Sequence, residues 1–287
     1  MAFARQVPFI PKRSDAHELE TDVVYAEVAG ESLRYDFYRP LGVDGPTPAV
    51  VFVHGGGWHA GDPSQAAGNA LHFAHRGIAT ISISYRLAPA HRFPDPLDDV
   101  RRGLRHVRAN APAFGIDPKR IVLFGVSAGA HLAVLAHLAR DLPALAPDLP
   151  TSLREVGEDV VAVIGHYGPY DLARRKPSTE WDPIGDLLGA RATDPEWVRL
   201  ASPIHHAAGA TAPILLIHGT ADTVVSYRES ERMHAALAVA GRTSELLVLD
   251  GAPHAFQIAW RGEANQRANA AMDVFVGRAL ANGTGAR

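Results

Sequence analysis

IVLFGVSAGAHLAVLAHLAR, residues 121–140, is the stretch on which the fold turns. Ile121 to Val126 is a short apolar run of the kind that forms a buried strand, and Ala130 to Arg140 carries a helical pattern. Between them lies Gly125-Val126-Ser127-Ala128-Gly129. A strand that turns into a helix this abruptly needs small residues on both sides of the bend, and the bend lifts the central serine to the end of the sheet. G-x-S-x-G spacing alone is a weak signal in a glycine-rich chain; its position at a strand-to-helix junction gives it weight. Ser127 then stands at the positive end of a helix dipole.

Working outward, short runs rich in Val and Ile alternate with longer helical segments, the signature of a mostly parallel sheet with crossover helices. Val23–Val28 and Leu33–Tyr38 read as an antiparallel hairpin, followed by strands at Ala49–His54, Ile78–Ser84, Ile121–Val126, Val160–His166, Pro213–His218 and Ser244–Leu249. Helices are expected near 64–76, 95–110, 127–140, 226–240 and 264–281. Eight strands at this spacing fit one doubly wound domain over 1–287, with residues 1–20 as an N-terminal arm. Residues 169–212 break the rhythm: five prolines, Trp181 and Trp197, and short helical fragments at most. A segment this irregular reads as a lid-like insertion between the sixth and seventh strands.

The chain has 287 residues, 47% hydrophobic and 21% charged, with a net charge of −3. That is ordinary globular composition, large enough for a core without cross-links. No cysteine is present, which excludes disulfides, thiolate metal sites and a cysteine nucleophile. The near balance of charge gives no field to draw in nucleic acid or an anionic membrane. The N-terminus has no run fit for a signal peptide and no stretch approaches a membrane span, so a cytoplasmic protein is the expectation. Fifteen histidines raise the question of metal, but no H-E-x-x-H or comparable ligand spacing occurs. No metal and no cofactor are expected, most of the histidines being surface or packing residues.

A serine hydroxyl needs a base to take its proton, and the base needs an acid to orient it. In folds built on such a bend the chain order is serine, acid, histidine. Asp222 ends the buried-strand pattern that begins at Pro213, and only His234 and His254 follow it. His234 falls in a helical stretch, whereas His254 lies in the loop after the last strand and can swing toward Ser127. Asp222 and His254 are therefore preferred over Asp250 and His234. Straight after the third strand comes His54-Gly55-Gly56-Gly57-Trp58. Successive glycines let backbone N–H groups point at a ligand, as an oxyanion hole requires, with His54 expected to brace the loop.

HGGGW at 54–58, YRLAP at 85–89, FPDPLDDV at 93–100, GVSAG at 125–129, HGTAD at 218–222 and PHAF at 253–256 together resemble the α/β-hydrolase superfamily, in the esterase branch similar to hormone-sensitive lipase and small carboxylesterases. The likeness runs from about residue 20 to the C-terminus. It implies the α/β-hydrolase fold, Ser127 as nucleophile, His254 as base, Asp222 as orienter, and the N–H groups of Gly56, Gly57 and Ala128 as the oxyanion hole. Val126 stands where that branch often has an acidic residue, and Ala90 replaces a frequent glutamate.

The function expected is hydrolysis of short-chain carboxylic esters through an acyl-enzyme, with activity falling in acid through about pH 6 to 7, where an ordinary histidine titrates. By position, Trp58, His59 and Tyr170 are placed in the substrate pocket with the lid tryptophans. HGGxW, Gly-Ala-His-Leu at 129–132 and Tyr170-Asp171-Leu172 are also similar to arylformamidases, and acetyl or feruloyl esterase is a further alternative. A non-catalytic ligand-binding protein on the same fold is the alternative of another class. The partner expected is a small-molecule ester, with no nucleic acid or membrane; a homodimer is left open.

Overall fold

The computed structural model describes residues 11–174 and 181–283. Its strands are β1 (His17–Val28), β2 (Glu31–Pro40), β3 (Thr47–Val53), β4 (Ala79–Ile83), β5 (Ile116–Val126), β6 (Ala162–His166), β7 (Ile214–Gly219) and β8 (Ser244–Leu249). The helices among the described residues are α1 (Ala67–Ala74), α2 (Asp95–Ala109), α3 (Ala111–Phe114), α4 (Ala128–Leu138), α5 (Thr151–Arg154), α6 (Pro183–Leu188), α7 (Pro195–Leu200), α8 (Arg228–Val239) and α9 (Glu263–Gly283), with short 3-10 turns between. None of these helices is long and apolar enough to cross a membrane.

One sheet runs in the order β1-β2-β4-β3-β5-β6-β7-β8, antiparallel for the first two strands and parallel from β4 onward. The β1–β2 hairpin closes through Ala29 and Gly30, both at positive φ (51° and 83°), a two-residue turn whose twist matches the strands. β1 starts earlier than its apolar pattern suggests. Its first half pairs His17–Glu20 with Phe37–Pro40, and its glutamates face water on an edge strand, where charge discourages pairing with another chain.

Alternate residues of the central strands feed two cores. Val51, Val53, Ile81, Leu123, Val163 and Leu216 pack on one face with α2, α4 and α8, while Val50, Phe52, Val122, Phe124, Ile164 and Ile217 pack on the other with α1 and α9. The strands read as continuous apolar runs because both faces are covered. Register places the ends of β3 and β5 side by side, Val53 opposite Gly125, with Val126 opposite His166. The loops that leave these ends therefore meet.

The expected helix at 64–76 divides into a 3-10 turn, Pro63–Ala66, and α1. The segment 169–212 contains α6, α7 and 3-10 turns; residues 175–180 lie outside those described.

Candidate active site

The bend between β5 and α4 places Ser127 at φ 53° and ψ −121°, a backbone conformation that costs energy for a residue with a β-carbon. Two hydrogen bonds hold it: Ser127 N–H donates to the His166 carbonyl at 2.9 Å, and the Ser127 carbonyl accepts from His131 N–H at 3.1 Å. The flanking glycines are needed for space rather than for φ. A β-carbon on Gly125 would run into the Gly129 carbonyl, and one on Gly129 would run into the carbonyls of Val53 and His54.

Three side chains from three loops meet above this bend. His254 Nε2 lies 3.1 Å from Ser127 Oγ, and His254 Nδ1 lies 2.6 Å from Asp222 Oδ2. A carboxylate can only accept, so Nδ1 carries the ring proton and Nε2 is left to accept from the serine hydroxyl. Asp222 Oδ1 accepts from the N–H groups of Val224 and Val225, each at 2.8 Å. Burial opposes charge on Asp222, but hydrogen bonds from His218, His254 and the Val225 N–H outweigh it and hold the carboxyl well below the usual carboxylate range. The ring of Tyr167 lies against His254 at 4.6 Å between centroids. The rivals stand elsewhere: His234 Nδ1 is 2.8 Å from Ser244 Oγ, and Asp250 accepts from the Thr220 hydroxyl at 3.0 Å.

The loop after β3 lies over the bend. Gly56, Gly57 and Trp58 follow one another at positive φ (118°, 62° and 62°). The Gly56 carbonyl accepts from His59 and Ala60 N–H, and a β-carbon at Gly56 would collide with the Ala60 carbonyl. The N–H groups of Gly56, Gly57 and Ala128 find no acceptor among the described residues, which leaves them available as donors. His54 Nδ1–H donates to the Gly55 carbonyl at 2.8 Å, its ring stacks on Tyr85 at 4.3 Å, and the Tyr85 hydroxyl donates to the His54 carbonyl at 3.1 Å. Burial pulls His54 down to about 4, so it stays a neutral strut. Arg86, the neighbour of Tyr85, is bound at 2.7 and 2.9 Å to buried Asp99, which ties YRLAP to α2 and explains both motifs structurally.

A protein-family model described as BD-FAE matches residues 35–237. The chain belongs to this family. It is an α/β-hydrolase of the esterase branch similar to hormone-sensitive lipase. It is 35% identical to Esterase LipC of Mycobacterium tuberculosis over 74% of this chain and 54% of that one, and 32% identical to Esterase LipQ of the same organism over 98% and 68%. It thus spans about half the length of the first of these curated relatives and just over two thirds of the second. Among solved structures it is similar to a propionate-bound esterase, Est2, of Thermogutta terrifontis, with TM-score 0.77 and 27% identity, covering 97% of each chain.

In this BD-FAE protein residues 181–212 of the irregular segment are fastened beside the site. Trp181, 54% exposed, lies over the glycine loop, with its Cζ2 3.0 Å from where a Gly57 β-carbon would be. His59 Nε2 sits 3.2 Å from Asp186 Oδ2 of α6, and Trp197 of α7 packs edge-on against Phe93 at 5.1 Å. Of the residues assigned to the pocket by position, His59 is half-buried at this contact. Trp58 and Tyr170 are buried in the core instead. The Trp58 ring packs edge-on against His131, and Tyr170 is fully buried beneath Gly165 and Gly168.

His218 was not singled out by the sequence reading. It is fully buried on β7, with Nε2 3.2 Å from Asp222 Oδ2. Its only sequence signal is its place at the head of HGTAD, four residues before the acid.

Proposed function

We propose that the protein is a serine carboxylesterase that cleaves short-chain carboxylic esters through an acyl-enzyme. The observation that carries this is the unbroken line of hydrogen-bond contacts from Ser127 Oγ through His254 to Asp222. In the first half-reaction Ser127 Oγ bonds to the ester carbonyl carbon while its proton passes to His254 Nε2. The oxyanion takes N–H bonds from Gly56, Gly57 and Ala128, each donor worth about 3 kcal/mol in the transition state. Collapse breaks the bond to the alcohol oxygen, which leaves with the proton from His254. Water, deprotonated by the same nitrogen, then attacks the acyl-serine and releases the acid. Asp222 stays ionised throughout and steadies the imidazolium.

Two observations support short acyl groups. Trp181 reaches over the glycine loop and narrows the space above it, and the similar Thermogutta terrifontis esterase has been solved with propionate and with butyrate bound. Rates on p-nitrophenyl esters from acetate to laurate, with Ser127→Ala as control, test the reading. The expected result is the highest kcat/KM at the short end and its loss in the variant. Equal rates for variant and parent would contradict the mechanism, and a maximum at laurate would contradict the acyl preference.

A further inference from the structure

Asp222 is held from two sides. Its Oδ1 takes the two backbone N–H groups of Val224 and Val225, while Oδ2 faces two imidazoles, His254 at 2.6 Å and His218 at 3.2 Å. His218 Nε2 is also 2.9 Å from the Val225 carbonyl. Both neighbours of this nitrogen are acceptors, so it carries the ring proton. On the other side of the ring, His218 Nδ1 lies 2.8 Å from Ser230 Oγ of α8 and, with the proton on Nε2, accepts from that hydroxyl. The side chains of His218 and Asp222 are fully shielded from water, and Ser230 is buried too. Starting from the serine at the bend, the line of contacts runs Ser127, His254, Asp222, His218, Ser230.

We infer that His218 is a positioning residue for the esterase reaction: its Nε2–H pins Asp222 in the plane that meets His254 and shares the charge on that oxygen, and Ser230 fixes the tautomer that allows it. This rests on the proposed Ser127, His254 and Asp222 triad. Backbone donors anchor Oδ1 alone and leave the carboxylate free to rotate about that oxygen; a second donor at Oδ2 removes the rotation. A buried carboxylate also tolerates its charge only when donors are aimed at it. The other groups around His218 are Tyr167, whose ring centroid is 6.4 Å away, and the buried His166, both carried by the end of β6. Among the described residues neither donates a hydrogen bond to Asp222, whereas His218 does so directly.

With His218 gone, the charge on Oδ2 is shared with one imidazole instead of two, so it favours the His254 imidazolium more strongly. The acid limb of kcat/KM, which reports the base in the free enzyme, then moves to higher pH. A histidine that only filled space would change stability and the active fraction but not the position of that limb.

The test uses the full chain and a short p-nitrophenyl ester, with parent, Ser127→Ala, His218→Leu, His218→Gln and Ser230→Ala. His218→Leu is expected to lower kcat about 10- to 100-fold, the range for losing a hydrogen bond to a charged group, with KM nearly unchanged and the acid limb shifted upward. His218→Gln, whose amide N–H can reach Oδ2, is expected to recover most of the loss. Ser230→Ala should show a smaller loss with the limb shifted in the same direction, and it decides the matter should the leucine variant fail to fold. Unchanged kcat and an unmoved limb in either His218→Leu or Ser230→Ala, or equal impairment by Leu and Gln, would overturn the inference. A parent as inactive as Ser127→Ala would instead overturn the esterase reading itself.

Discussion

Gly129 of the serine bend backs directly onto the carbonyl of His54 at the start of the glycine loop, with no room between them for a single carbon. Ser127 and the proposed oxyanion donors are thereby locked into one unit: α4 can approach β3 only because residue 129 has no side chain, and that approach sets where the N–H groups of Gly56 and Gly57 stand relative to Ser127. Gly129→Ala is expected to cost about 3 kcal/mol through overpacking against rigid backbone. It is also expected to lower kcat/KM about 100-fold, the price of displacing reacting groups by an ångström. Thermal unfolding and ester hydrolysis measured on the same preparation check both; a variant with parental stability and rate would show that the two loops are not coupled.

Asp222 fixes the tautomer of His254 through its contact with Nδ1, and in the proposed mechanism it steadies the imidazolium. Asp222→Asn keeps the shape but offers an amide that can turn its N–H toward Nδ1, which leaves the proton on the wrong ring nitrogen. A fall of about ten-thousand-fold in kcat is expected, with KM little changed. A loss below tenfold would mean that the 2.6 Å contact between Asp222 and His254 has no part in turnover.

Seven of the fifteen histidines are buried, and for several of them burial makes stability depend on pH. Burial holds His54, His131 and His137 down at about 4 and His166 at about 3, all four neutral in the fold. Between roughly pH 6.5 and 4 the unfolded chain binds protons at these rings that the folded chain refuses, so stability falls as pH falls. Asp98 acts in the opposite sense. Burial pushes it up to about 7, so over the same window it is protonated when folded and ionised when unfolded. Four imidazoles less one carboxyl leave a net uptake of about three protons on unfolding near pH 5, or about 4 kcal/mol per pH unit. Burial also lowers His72, His106 and His206, which steepens the slope, and raises Glu229, which softens it. Urea unfolding between pH 7 and pH 5 measures the slope directly, and a flat profile would contradict this picture of the buried rings.

Trp181 presents an exposed ring beside the glycine loop. Its removal takes away apolar contact for the substrate without touching the reacting groups. Trp181→Ala is therefore expected to raise KM for short esters about three- to tenfold, in line with partial loss of aromatic burial, while kcat stays within a few-fold. An unchanged KM across the ester series would place the ring outside the substrate's reach.

The central strands were legible because they are apolar runs covered on both faces, and the bend at Ser127 because strand and helix patterns meet there with glycine on either side. Asp222 and His254 could be read from chain order and loop position, and the structure brings them to Ser127. Pocket residues were harder. Nearness in sequence to the site says nothing of the side to which a side chain turns: Trp58, at φ 62°, packs its ring on His131, and Tyr170 fills the space left by two glycines under β6. His218 was illegible for a related reason. Nothing in a histidine on a buried strand tells a packing ring from one that donates to a carboxylate four residues later; only the fold brings Ser230 to its other nitrogen.

The central claim is that Ser127 is the nucleophile, and reaction with a fluorophosphonate tests it most directly. Intact mass and peptide mapping should show one adduct per chain, located on Ser127, forming in step with the loss of ester hydrolysis and absent from Ser127→Ala. Full hydrolysis surviving in that variant, or inactivation with the adduct on another residue, would contradict the account.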